Sequence, residues 1–314
     1  MNRLSFTASV LVLGLAGPVM AASNESFVEQ IGNGSNASIT QDDTNVGTTN
    51  KSSVKQHDNN HEATVTQKGV NNTNKSEIEQ SGDSQRAIVK QIGSGNINES
   101  FIKQKGDHNY AQVDQQGDNN TLNKSIIDTQ DGHENQIYLD QFGTGNAIND
   151  SFAQTIGSNN IIDVKQFGDG NTNKSKATIG VNFNAITVYQ HGNNNLNTSD
   201  AMTSVGNFND LHVDQFGTDM INDAIADVAG GGNIVNVTQK GSSGKNWAKT
   251  KILGSDDNTV NITQGGTDSD NKSDTSISGG NGNTVTVDQG GTLNVNLSTV
   301  NTVGSGNTVT VSQF

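Results

Sequence analysis

Apolar residues in this chain keep to alternate positions over short runs, and the runs recur at a near-constant spacing. The commonest run reads apolar, any, apolar, any, glutamine, any, glycine. Its glutamines return every 24 to 26 residues, at Gln41, Gln67, Gln91, Gln115, Gln141, Gln166, Gln190, Gln215, Gln239, Gln264, Gln289 and Gln313. The positions two and four residues before each glutamine are apolar in all twelve copies, from Ala37 and Ile39 to Val309 and Val311. Alternation with period two places these residues and the glutamine on one face of a strand, directed inward. The residues between them are mostly Thr, Asp, Lys, Asn and Ser, which suits an outer face. A helix would need apolar spacings of three and four, which these runs lack.

A second run precedes the first within each period. The stretch from Ser100 to Asn123 carries two endings of the form Gln-x-Gly, at Gln104-Lys105-Gly106 and Gln115-Gln116-Gly117, with the glutamines eleven residues apart. The same spacing joins Gln30 to Gln41, Gln56 to Gln67, Gln80 to Gln91 and Gln130 to Gln141. Thr155 and Ser204 stand in comparable places later. Glycine two residues after the second glutamine supplies the backbone freedom of a tight corner. Six residues before that glutamine, asparagine recurs at Asn109, Asn135, Asn160, Asn184, Asn209, Asn233, Asn258, Asn283 and Asn307. Asparagine tolerates turn geometry, and its amide can bond to its own copy one period away.

A fixed period of this length means one small unit stacked on copies of itself. The expected fold is all-β: a two-sided β-solenoid, cross-β in character, of about twelve stacked strand–turn–strand rungs over residues 26–314. At about 4.8 Å per rung the rod is about 55 Å long. Buried glutamine and asparagine are costly alone. In a stack each amide donates to one neighbouring copy and accepts from the other, as in amide ladders.

Composition narrows the function. Only 30% of the 314 residues are hydrophobic and 4% aromatic, which alone would read as disorder. Low-complexity disorder does not hold apolar residues in register over twelve copies. The formal net charge of −14 argues against nucleic acid and against an anionic membrane surface. There is no cysteine, hence no disulfide framework or thiolate metal site. Residues 1–22 read as a secretory signal peptide: Arg3, an apolar stretch from Leu4 to Leu15, the Gly17-Pro18 break, and cleavage after Ala21 or Ala22. No other segment is expected to span a membrane. Pro18 is the single proline, so the mature chain is free of proline, a residue that removes a ladder donor and commonly guards strand edges.

Candidate chemistry is sparse. The spacing leaves no room for an inserted catalytic loop, and the outer row Lys90, Asp114, Asp140, Lys165 is mixed in sign. No catalytic residues, cofactor or metal are expected. Gly168-Asp169-Gly170-Asn171 reads as turn formers rather than ligands, and His57 and His61 are four apart where no helix is expected, so they are not read as a metal pair. Thr284, Thr286, Thr308 and Thr310 could align for ice binding, but Tyr138, Asp163 and His212 interrupt the row. One outer feature is less ordinary: Phe142, Phe167, His191 and Phe216 follow the glutamines of four successive rungs and would form an aromatic stripe. Phe142, Phe167 and Phe216 are candidates for a lateral contact between rods.

The repeat resembles the curlin repeat of curli-type functional amyloid subunits, whose phrase is Ser, a few residues, then Gln-x-Gly-x-x-Asn-x-Ala-x-x-x-Gln. Gln104, Gly106, Asn109, Ala111 and Gln115 match it, opened by Ser100. Gln80, Gly82, Ala87 and Gln91 match with Gln85 in the asparagine place, and later copies keep Gly132, Asn135, Gln141 or Gly206, Asn209, Gln215. The resemblance covers residues 26–314. It implies a secreted structural subunit that self-assembles into extracellular, cell-surface amyloid fibres for adhesion and biofilm matrix. It also implies an outer-membrane secretion pore, a nucleator subunit and chaperones as partners beside the chain itself. The expected run ends in the middle of a strand phrase, Val309 to Phe314, which suggests open edges for strand addition. The alternative is a monomeric β-solenoid adhesin or surface-binding module.

Overall fold

A computed structural model describes residues 23–43, 47–119 and 121–314. The expected leader at 1–22 and its cleavage position lie outside the described residues. The chain forms twenty-four strands, from Ser23–Ile31 to Thr308–Gln313, with no helix among the described residues. They alternate between two sheets of twelve strands each. The first strand of every rung pairs only with first strands, the second only with second strands, always in parallel. The fold is therefore a two-sided parallel β-solenoid of twelve rungs, as the period required.

Register follows the repeat. Gln141 lies against Gln115 on one side and Gln166 on the other, with Leu139 between Val113 and Val164. The apolar pair of each second strand is buried from Ala63 and Val65 to Val285 and Val287. These side chains and the inward apolar residues of the first strands form one continuous core cluster. The core is narrow, and its volume is conserved by compensation between the sheets. In the early rungs Val54, Ile78 and Ile102 of the first sheet share the core with small Ala63, Ala87 and Ala111 of the second. In later rungs Ala153, Ala177 and Ala201 share it with Ile162, Ile186 and Leu211. Interiors are close-packed, so a gain on one sheet must be offset on the other.

Corner glycines answer to close approach as well as to torsion. Gly82 has φ of +111°, and a Cβ there would collide with the carbonyl of Gly106 in the next rung. Gly106, with φ of +93°, meets the carbonyl of Gly132 in the same way. Adjacent rungs touch backbone to backbone at these corners, so the side chain is excluded whatever its chemistry.

Two expectations about the first strand are corrected by its bulges. Gln130 does not continue the inward glutamine row. Gln104 pairs with Thr129, and the register shifts before Gly106 meets Gly132. The extra residue turns Gln130 outward, where its amide donates to Asp128 Oδ2 at 2.6 Å. Likewise Ser204 is exposed, and Thr203 is the buried residue, because the register shifts between Thr203 and Val205. Thr155 does hold the inward place.

Candidate functional site

The interior of this solenoid is built around amides. The second-strand glutamines form an unbroken ladder in which each Nε2 donates to the Oε1 of the next rung, from Gln41 to Gln313, at 2.7–2.9 Å. Gln67 through Gln289 are buried, while Gln41 and Gln313 in the outermost rungs are half-buried. The remaining N–H of each glutamine reaches a backbone carbonyl of the first strand in its own rung, as Gln115 does to Glu99 O at 2.9 Å and Gln190 to Lys174 O at 2.9 Å. Each glutamine thus ties rung to rung and sheet to sheet. A net gain of about 1 kcal/mol per bond is typical. The larger effect is that any register other than this one strands a buried amide.

The expected turn asparagines are buried as well, except the half-buried Asn307. Asn135, Asn209, Asn233, Asn258, Asn283 and Asn307 each donate Nδ2 to the Oδ1 of the copy before, at 2.9–3.1 Å. The row is interrupted once. Asn160 accepts through its Oδ1 from the backbone of Asn184, but its Nδ2 has no partner, and Asn184 turns its own Nδ2 to Asn182 O.

A third ladder escaped the sequence reading. In every first strand an inward asparagine bonds to its copy: Asn24, Asn50, Asn74, Asn98, Asn123, Asn149, Asn173, Asn197, Asn222, Asn246, Asn271 and Asn296, at 2.8–2.9 Å. Its signal is the phrase Asn-x-Ser, with Ala replacing Ser only at Ala224 and Ala248. This row donates toward the N-terminal rungs, opposite to the glutamine row, so the two lines of amide dipoles oppose each other.

The first-strand glutamines make a short fourth ladder, Gln30 to Gln56 to Gln80 to Gln104. Gln104 also donates to Asn109 O at 3.1 Å, at the start of the strand carrying Ala111. Where that alanine becomes Ile137, the glutamine becomes Thr129. The larger neighbour takes the space that the amide filled. Thr129, Thr155 and Thr203 leave their hydroxyls buried without a partner, and Ile179, Val228 and Ile252 hold the same row elsewhere.

On the outside, the aromatic stripe exists and is half-buried. Phe142 stacks on Phe167 with centroids 5.1 Å apart, and His191 on Phe216 at 4.9 Å. Tyr189, from the neighbouring outer row, bridges the two pairs by meeting Phe167 edge-on and His191 at 4.4 Å. Rings stacked on one another offer edges rather than faces to a visitor. Beside them the mixed row is confirmed: Lys90 pairs with Asp114 at 3.0 Å, and Lys165 with Asp163 at 2.8 Å. Asp140 sits between these pairs, and burial pushes its carboxyl above the ordinary range, with Asp114 and Asp163 adding to the rise and Lys165 and Lys90 opposing it. A carboxyl raised in the folded state binds more protons than in the unfolded chain, so its contribution to stability falls as pH rises through the carboxylate range. Asp140→Asn should therefore melt slightly higher than the parent at pH 7 and match it near pH 3. The group is partly solvated, so the gain is below about 1 kcal/mol. An equal difference at both pH values would refute the assignment.

No group of three or more His, Cys, Asp or Glu side chains is arranged to hold a metal among the described residues. Among those residues no helix is long and apolar enough to cross a membrane. The geometry defines a parallel β-solenoid with continuous internal amide ladders. Compared with known proteins, the chain matches no family model and no curated protein.

Proposed function

We propose that this chain is a secreted structural subunit that self-assembles end to end into extracellular, curli-like amyloid fibres for adhesion and biofilm matrix. The observation that carries the reading is the sameness of the rungs. The same asparagine and glutamine positions recur in register from Asn24 to Asn296 and from Gln41 to Gln313. A surface that fits its own neighbour within the chain also fits the equivalent rung of another copy. The outermost strands, Ser23–Ile31 and Asn36–Asp43 on one side and Val295–Val303 and Thr308–Gln313 on the other, have one edge without a partner among the described residues. The work is mechanical, and it requires no catalytic residue. A secretion pore, a nucleator and chaperones are the partners such a subunit would use.

The test is incubation of purified residues 23–314 with and without sonicated preformed seeds, followed by thioflavin fluorescence. Growth that accelerates with seeds supports the proposal. Rods that stay single at every concentration support the monomeric adhesin instead. Within the fibre reading, replacing Phe142, Phe167 and Phe216 together with serine should reduce bundling seen by negative-stain microscopy while leaving the elongation rate unchanged. Unaltered bundles would limit the stripe to packing within the chain, where stacked rings contribute about 0.5–1.5 kcal/mol a pair.

A further inference from the structure

The outer face of the first sheet, on the side away from the aromatic stripe, carries a charge pattern that the solenoid itself uses only in part, since Glu79 pairs with Lys55 and Asp128 accepts from Gln130 and Gln154. Three columns of side chains point outward there. One edge column runs Lys75, Glu99, Lys124, Asp150 in successive rungs. The other runs Glu79, Lys103, Asp128, Gln154. Between them the centre column runs Glu77, Phe101, Ile126, Phe152. Among the described residues, Lys75, Glu99, Lys103, Lys124 and Asp150 form no ion pair within the chain, although rungs nearer the N-terminus do pair, through Lys51–Glu25 at 3.1 Å and Lys55–Glu79 at 3.6 Å. A shallow groove of about 110 Å³ runs beside the centre column, lined by Lys75, Glu99, Phe101, Lys124 and Ile126 among others.

We infer that this face binds the same face of a second copy, running in the opposite direction, about a two-fold axis that passes between the rungs of Phe101 and Ile126. In that arrangement Glu99 faces Lys124 of the second copy, Lys75 faces its Asp150, and Lys103 faces its Asp128. Symmetry makes each pair twice, as an isologous contact must. Phe101 meets Ile126, and no like charges oppose in the centre column. The one like-charge pair lies at the rim, between Lys51 and Lys174, and Glu77 lies against Phe152 without a counter-charge. Sliding the second copy by one rung in either direction brings Lys against Lys and Glu or Asp against Glu or Asp. A slide of two rungs sets Glu77 against Asp200 in one direction and Lys51 against Lys124 in the other. The charges therefore disfavour the one-rung slides, while the two-rung slide that opposes Glu77 to Asp200 also brings Lys124 against Asp150 and Glu99 against Lys174 and is the competing register. Pairing in the same direction sets Glu77 against Glu77 and Lys51 against Lys55.

The patch is roughly 25 Å by 20 Å, on the order of 500 Å² a copy, which is less than the about 800 Å² of a stable pair. Two isolated rods therefore associate weakly. Along a fibre the contact repeats with every subunit and multiplies.

The experiment uses residues 23–314 in a sedimentation series over concentration, with Glu99→Lys, Lys124→Glu and the double variant. The parent should form a reversible dimer. Each single reversal should raise the dissociation constant by about tenfold or more, and the double variant should restore it, with the β-sheet circular dichroism of all four chains alike. A same-direction pair gives the opposite result. There the lysine introduced at position 99 would face Lys103 and the glutamate introduced at position 124 would face Asp128, so the double variant would be the weakest. A double variant no better than the singles, or a parent that stays monomeric throughout, overturns the inference. Where the chain also grows end to end, fibre width reads this contact, two rods against one, and fibre length reads the polymerisation, so either can fail without the other.

Discussion

Gln166→Ala is expected to lower the stability of the solenoid by about 3–5 kcal/mol, and Gln166→Glu by more at neutral pH. Gln166 is wholly buried. Its Oε1 accepts from Gln141 Nε2 at 2.9 Å and from Ser151 Oγ at 2.8 Å. Its Nε2 donates to Gln190 Oε1 at 2.8 Å and to Asp150 O at 3.2 Å. Alanine removes all four bonds, opens a cavity in a core that cannot collapse, and leaves the Gln190 oxygen without its donor. Glutamate preserves the volume and places an acceptor oxygen against Gln190 Oε1 and Asp150 O, in a site that disfavours charge. Its carboxyl is therefore raised in the folded state. Below the unfolded carboxylate range both states are protonated, and the acid O–H can replace the lost donor. As pH rises above that range the unfolded chain ionises first and stability falls. Urea unfolding of parent and Gln166→Glu at pH 3 and pH 7 reads this directly, and the deficit should be small at pH 3 and large at pH 7. A deficit independent of pH would mean that the glutamine side chain reaches water.

Gly82→Ala is expected to cost about 3 kcal/mol or more and to loosen the early rungs preferentially. The φ of +111° is strained for any L side chain, and the added methyl would overlap the Gly106 carbonyl of the next rung. Relief requires separating two rungs, which breaks ladder bonds such as Gln80 Nε2 to Gln104 Oε1 at 2.9 Å. The same change at Gly254 should cost less. It has positive φ too, but open space around the position of a Cβ. Hydrogen exchange of the two variants measures the difference. Protection should be lost around residues 73–118 in Gly82→Ala and kept there in Gly254→Ala. Equal losses would show that torsion alone, and not rung contact, sets the corner glycines.

Much of this architecture was legible because parallel stacking turns sequence period into spatial identity. The second-strand glutamines, the apolar pairs and the turn asparagines all fall where the period puts them. The first strands were harder to read. Their inward glutamine gives way to threonine, valine or isoleucine after Gln104, and bulges at Gln130 and Ser204 move the apparent continuation of the row to the outer face. The most complete amide row of the first sheet, from Asn24 to Asn296, lay in plain view as Asn-x-Ser but was not anchored to an apolar alternation. The exchange of Ile102 with Ala111 for Ala153 with Ile162 could be noticed in the repeats. Its meaning depended on knowing which strands share a core. The outer charge columns needed the register, since opposing or matching charges are defined only once the rungs are aligned.

X-ray diffraction from aligned fibres of residues 23–314 tests the account most directly. Rungs stacked along the growth axis predict a sharp reflection at about 4.7–4.8 Å on the meridian, parallel to the fibre, with a sheet-packing reflection near 10 Å on the equator. A 4.8 Å reflection lying off the fibre axis, or a chain that yields only separate rods, would contradict it.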